Sequence, residues 1–128
     1  IAKKASVVSK NKDIRGSVVD IQRNAYKKNQ GLVADGRDMG TIIFPEAGLK
    51  IFLDASLEIR AERRANQLIE RGMNVIMHDL LESIKLRDKE DRQRKHSPLI
   101  MAKDAEFIDT SSMSEEEVFN KVMELYRK

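Results

Sequence analysis

Two stretches of this sequence concentrate the residue types that handle phosphate groups. The first is Asp35-Gly36-Arg37-Asp38, which directly follows the apolar run Leu32-Val33-Ala34. In open α/β sheets ligands bind beyond the carboxyl ends of the strands, and this tetrapeptide falls at such a position. Gly36 permits a sharp turn, Arg37 can fork two donors onto a phosphate, and Asp38 presents a carboxylate beside it. A plain polar turn with a surface ion pair would use the same residues. The second stretch is residues 85–95, KLRDKEDRQRK. Arg87, Asp91 and Arg94 recur at i, i+4 and i+7 and share one helix face, with Asp91 able to hold Arg87 in place. A solvated helix would carry similar charges. A third group, Arg60, Arg63 and Arg64, puts Arg60 and Arg64 one turn apart, where they could face one polyanion or simply water. His78 and His96 have no His, Cys or carboxylate partner at a recurring ligand spacing, so no metal site is expected.

Positioning these residues requires regular elements, and the pattern supplies them. Residues 1–13 show no period and read as a loop. Ile14, Val18, Ile21 and Ala25 fall at helical spacing, with Asp13 placed to accept from the first free amides, so a helix is predicted over 14–26 with Gly31 beyond its end. Leu32–Asp35 and Lys50–Asp54 read as short buried strands. Ser56 caps a helix running through Arg71, with Leu57, Ala61, Arg64 or Ala65, and Leu68 on its stripe and Gly72 as the stop. Asp79 and Glu82 resemble a capping box for a helix over 80–94, and Pro98 breaks the chain after it. Ala105–Asp109 is the third predicted strand. Ser114 and Glu117 open a last amphipathic helix bearing Val118, Val122 and Leu125 or Tyr126. Short apolar strands alternating with helices imply an α/β fold with a parallel sheet.

Composition narrows the function classes. With 128 residues, 41% of them hydrophobic, the chain suits one modest domain or part of one. The chain starts on Ile in a lysine-rich stretch and offers few strands for a parallel sheet, so a portion of a larger domain is expected. There are 24 Lys and Arg against 21 Asp and Glu, a net charge of only +3. That excess does not argue for nucleic acid, and the two Tyr, four Phe and absent Trp supply no stacking platform. No apolar run approaches the roughly 20 residues of a membrane span. The absence of cysteine suits a reducing compartment, and a cytoplasmic location is expected.

In order along the chain, GLVADGRDMGTIIFPEAGLKIFLDAS, EIRAERRANQLIERG, LLESIKLRDKEDRQRKHSPL and FIDTSSMSEEEV resemble successive segments of the bacterial cytidylate kinases. The resemblance runs from about Ser6 to the end. It implies the P-loop nucleoside-monophosphate kinase fold, here about three strands plus helices of its C-terminal portion. It divides the chain into the end of the monophosphate-binding region (1–30), core (31–76), lid (77–98) and the last core strand and helix (99–128). The implied activity is ATP-dependent phosphorylation of CMP and dCMP with Mg²⁺, by a protein expected to be monomeric when intact and to bind neither membrane nor nucleic acid. Ser6, Arg15 and Asp38 match cytosine-contacting positions; a carboxylate at Asp38 accepts from the cytosine amino group and disfavours uracil. Arg37 and Arg94 match acceptor-phosphate positions, Arg87 and Asp91 match sugar-contacting ones, and Asp35 joins the substrate-binding set. Arg37, Arg87 and Arg94 are the implied catalytic cations, and Arg63 resembles a helix arginine near the ATP phosphates. The 128 residues contain no G-x-x-x-x-G-K-[ST] run to cradle those phosphates. Family members often carry arginine where Glu90 stands. Two readings stay open: part of a kinase that is inactive alone, or a non-catalytic nucleotide-binding or regulatory domain derived from one.

Overall fold

The computed structural model describes residues 12–27 and 31–128. Ser6, most of the expected N-terminal loop, and the stretch just before Gly31 lie outside the described residues. The elements in order are helix α1 (Lys12–Lys27), a π-helical turn (Met39–Ile43), strand β1 (Ile51–Asp54), helix α2 (Leu57–Glu70), helix α3 (Met77–Gln93), strand β2 (Glu106–Asp109) and helix α4 (Glu115–Tyr126). They fall into two compact units. One holds the described residues up to Ala47 with Asp91–Met101, the other Gly48–Glu90 with Ala102–Lys128.

The second unit is built on a parallel pair, with Phe52 opposite Phe107 and Leu53 opposite Ile108. The two phenyl rings stack with centroids 6.3 Å apart. The ladder is extended at both ends, by the Glu106 amide to the Lys50 carbonyl and by the Thr110 amide to the Asp54 carbonyl. The chain between the two strands holds two helices and their loops, a long crossover such as a parallel pair requires. The class is therefore α/β with a parallel sheet, as the alternation of elements implied. The sheet has two strands among the described residues. Leu32–Asp35, expected as a third, is irregular, and Val33 is fully exposed. An apolar run becomes a strand only when a neighbour takes up its main-chain groups, and no described residue does so here.

Two of the three N-terminal cap signals in this unit are obeyed. The Ser56 hydroxyl accepts from the Ile59 amide and starts α2, which buries Ala61 and Ala65 completely or nearly so. The helix stops at Gly72, whose φ of +73° is the left-handed conformation that suits glycine at this position. The expected box at Asp79 does not form, because α3 begins two residues earlier at Met77 and Asp79 lies in its first turn. There it still favours the positive end of the helix dipole. Leu80, Leu81, Ile84, Asp88 and Asp91 are its half-buried side. Ser114 and Glu117 form a reciprocal capping box on α4, with Val118, Val122 and Leu125 half-buried and Tyr126 exposed.

In the first unit α1 begins at Lys12, so Asp13 is a first-turn residue and not the cap. The stripe expected to be buried is largely open, with Ile14, Val18 and Ile21 all exposed. The helix meets the π-helical turn instead through Arg23 and Tyr26, the latter edge-on to Phe44 at 6.4 Å.

The capping box yields a stability test. Ser114→Ala should cost about 1 kcal/mol, read from chemical denaturation. Bonds donated by the Ser114 amide and hydroxyl hold the Glu117 carboxyl below its ordinary range. A depressed carboxyl contributes stability above its unfolded pKa and loses it as pH falls through the folded one. Glu117→Gln should therefore flatten the fall in melting temperature below about pH 5, and an unchanged profile would remove the charge from the cap.

Candidate functional site

The turn after Leu32–Asp35 is shaped by space and by one carbonyl. A side chain at Gly36 would come within 2.6 Å of the Met39 methyl, so glycine lets the Met39 side chain fold over the turn. The Asp38 carbonyl then accepts from both the Ile42 and Ile43 amides, at 2.9 and 3.1 Å, which sets the wide pitch of the π-helical turn. Asp38 itself is only 5% exposed. Such turns leave their last carbonyls without partners inside the element. Arg23 of α1 supplies them, donating from Nε to Ile43 O at 3.0 Å and from Nη2 to Ile42 O at 2.8 Å.

Beside this turn, Arg37 Nε donates to Asp91 Oδ2 at 2.9 Å. The other oxygen of the same carboxylate lies 3.5 Å from Arg94 Nη1. Asp91 is 14% exposed and Arg37 44%. Arg94 also donates through Nε to the carbonyl of Ser97, a residue with φ of 53°, and the Leu99 amide returns to the Asp91 carbonyl at 2.7 Å. The segment following α3 is thus folded back on the end of that helix. One carboxylate set between two guanidinium groups fixes both while leaving a net positive charge, an arrangement suited to an anion with several oxygens.

Of the sequence-predicted residues, the structure brings together Arg37, Asp91 and Arg94, with Asp38 on the adjoining turn. Asp35 is exposed one turn residue earlier. Arg87 is exposed on α3, one helical turn before Asp91. Arg15 lies on α1, and its side chain lies outside the described residues. Ser6 does as well.

The arginines of α2 diverge. Arg60 forks onto Asp88, with Nη1 to Oδ1 at 2.9 Å and Nη2 to Oδ2 at 2.7 Å, and gives Nε to the Ala55 carbonyl. The Asp88 carboxylate raises the guanidinium pKa further above its ordinary value. Arg64 reaches only Gln67 of its own helix. The pair expected to face one polyanion therefore points to different partners. Arg63 donates to the Thr110 hydroxyl at 3.0 Å and to the Thr110 and Met113 carbonyls at 2.6 and 3.3 Å. It borders a cleft of about 420 Å³ lined also by Leu53, Ser114 and Val118. No group of three or more His, Cys, Asp or Glu among the described residues could hold a metal ion. No helix among them is long and apolar enough to cross a membrane. Arg23 was not legible as a site residue, since a lone arginine on a helix has no motif and its partners are carbonyls twenty residues away.

By fold the chain is a parallel α/β protein with an arginine-carboxylate cluster next to a buried aspartate. The family profile of cytidylate kinase matches residues 1–128, the whole chain. Curated relatives named cytidylate kinase include those of Paraburkholderia phymatum, 47% identical over 127 residues, and Cupriavidus pinatubonensis, 44% identical over 126 residues. Another from Burkholderia ambifaria is 46% identical over 127 residues. These alignments cover 98–99% of this chain but 55–57% of the relatives, so the chain spans about half their length. The chain belongs to the cytidylate kinase family.

The cluster makes a stability prediction. Asp91→Ala should destabilise by about 1–3 kcal/mol, since it strips two guanidinium groups of a half-buried partner. Arg37→Ala should cost under about 1 kcal/mol because that side chain is largely solvated. Equilibrium unfolding of both variants decides it; equal, negligible changes would make Asp91 a solvated side chain.

Proposed function

We propose that this chain carries the monophosphate-binding part of an enzyme that phosphorylates CMP and dCMP with ATP. The observation that carries the reading is the Arg37–Asp91–Arg94 cluster beside buried Asp38, in a chain whose family is cytidylate kinase. Arg37 and Arg94 hold the acceptor phosphate, and Arg87 adds a third cation to the segment 77–98, which acts as the lid. Charge spreads over the phosphoryl oxygens during transfer, and fixed cations stabilise it. Asp91 orients two of those cations and meets the sugar, with Asp35 and Ser6 completing the monophosphate side. Asp38 accepts from the cytosine amino group while Arg15 donates to the acceptor edge of the ring. Arg63 serves the ATP side. Mg²⁺ would neutralise phosphate charge; lacking a carboxylate cluster among the described residues, it would be held chiefly by nucleotide oxygens. The protein works as a monomer in the cytoplasm.

Kinetics of the full-length enzyme test the reading. Asp38→Asn should narrow the CMP over UMP preference in kcat/KM, since a lost base contact is worth about 1–3 kcal/mol of discrimination. Arg37→Ala should lower kcat by about tenfold or more with little change in melting temperature. The 128-residue chain alone should release no ADP from ATP and CMP, because it contains no phosphate-cradling loop. An unchanged nucleotide preference in Asp38→Asn would remove this residue from the base site, and turnover by the 128-residue chain would overturn the division of labour.

A further inference from the structure

We propose that Arg23 is a specificity-determining positioning residue, which locks the turn bearing Asp38 onto the helix bearing Arg15. The inference rests on the cytidylate reading of Arg15 and Asp38 given above. Reading one base edge with a donor from one element and an acceptor from another demands a fixed separation between them, because a hydrogen bond weakens steeply with misalignment. Arg15 and Arg23 lie eight positions apart on α1, about 12 Å along its axis. Asp38 lies at the start of the π-helical turn, and its carbonyl accepts the Ile42 and Ile43 amides. The carbonyls of those same two residues accept from Arg23. Arg23 is thus one peptide unit removed from the main chain of Asp38, and it grips the turn at two points with a planar group that admits little rotation. Three residues on, Tyr26 meets Phe44 edge-on, so the helix and the turn are fastened at neighbouring points. With the guanidinium in place Ile43 is 2% exposed, so the turn is packed where Arg23 grips it. Arg23 touches neither base nor phosphate in this scheme; it acts through the placement of Asp38.

A positioning role moves nucleotide preference, whereas a merely structural role moves stability alone. In the full-length enzyme, Arg23→Met should raise KM for CMP and narrow the CMP over UMP ratio of kcat/KM by about tenfold, approaching Asp38→Asn. Arg23→Lys keeps the charge but loses the fork, and should give an intermediate ratio; it also serves if the Met variant does not fold. Ile108→Val, which destabilises the sheet without touching the turn, should leave the ratio at its wild-type value. Wild-type ratios in both Arg23 variants, with Asp38→Asn narrowed as expected, would overturn this inference alone. A wild-type enzyme without preference for CMP would overturn the cytidylate reading and this inference with it.

Discussion

Guanidinium groups donating to main-chain carbonyls hold this structure together where its apolar core is thin. Only Ile43, Ala55, Ala61, Ala65 and Ile108 are buried apolar residues among those described, and α1, α3 and α4 show no buried residue among them. At the ends of elements, where carbonyls run out of partners within the chain's regular structure, arginines take over. Arg23 closes the π-helical turn, Arg60 takes the carbonyl of Ala55 after β1, Arg63 takes those of Thr110 and Met113 after β2, and Arg94 takes that of Ser97 after α3. A charge-assisted bond is stronger than a neutral one where it is shielded from water, and weaker where solvent screens it. A fold fastened in this way has its geometry concentrated at the loops that follow the strands, which is where α/β proteins bind ligands.

The same economy sorts the arginines by role. Arg60 faces a bidentate carboxylate and a carbonyl, so its donors are directed into the protein. Arg37 is held at one nitrogen by Asp91 and remains 44% exposed, which suits a group that must meet a ligand arriving from solvent. Arg94 stands between these cases, partly buried, with one contact to a carbonyl and one to Asp91. The carboxylate costs some positive potential at the cluster, but it removes the entropy of two long side chains before any anion arrives, which is the physical content of preorganisation.

The features legible in the sequence are those whose cause is local. Ser56, Gly72 and the Ser114–Glu117 box act within four residues of themselves, and all three stand where the pattern put them. Strands β1 and β2 were legible because continuous apolar residues flanked by polar turns have few other uses. Leu32–Asp35 has the same composition but its state depends on a neighbour the pattern does not reveal. Asp79 with Glu82 has the form of a box, yet α3 gains another half-turn upstream and the box is absorbed. The partners of Arg23 and Arg63, and Arg37 as partner of Asp91, are nineteen to fifty-four residues away, and four of them are carbonyls that any residue type would present. Spacing along one helix pointed from Asp91 to Arg87; it could not point to Arg37, fifty-four residues away.

The Arg37 partner widens what Asp91 couples. A carboxylate bonded only within its own helix stiffens one surface and links nothing else. Bonded to Arg37, it ties the end of α3 to the turn that carries Asp38, so residues assigned to phosphate and to base occupy one compact unit. Arg23 ties the same turn to α1 from another direction. On the proposed assignment, a displacement of the Asp38 turn would disturb phosphate and base contacts together, and binding energy gained at the base could be used to align the phosphate, as differential stabilisation of a transition state requires.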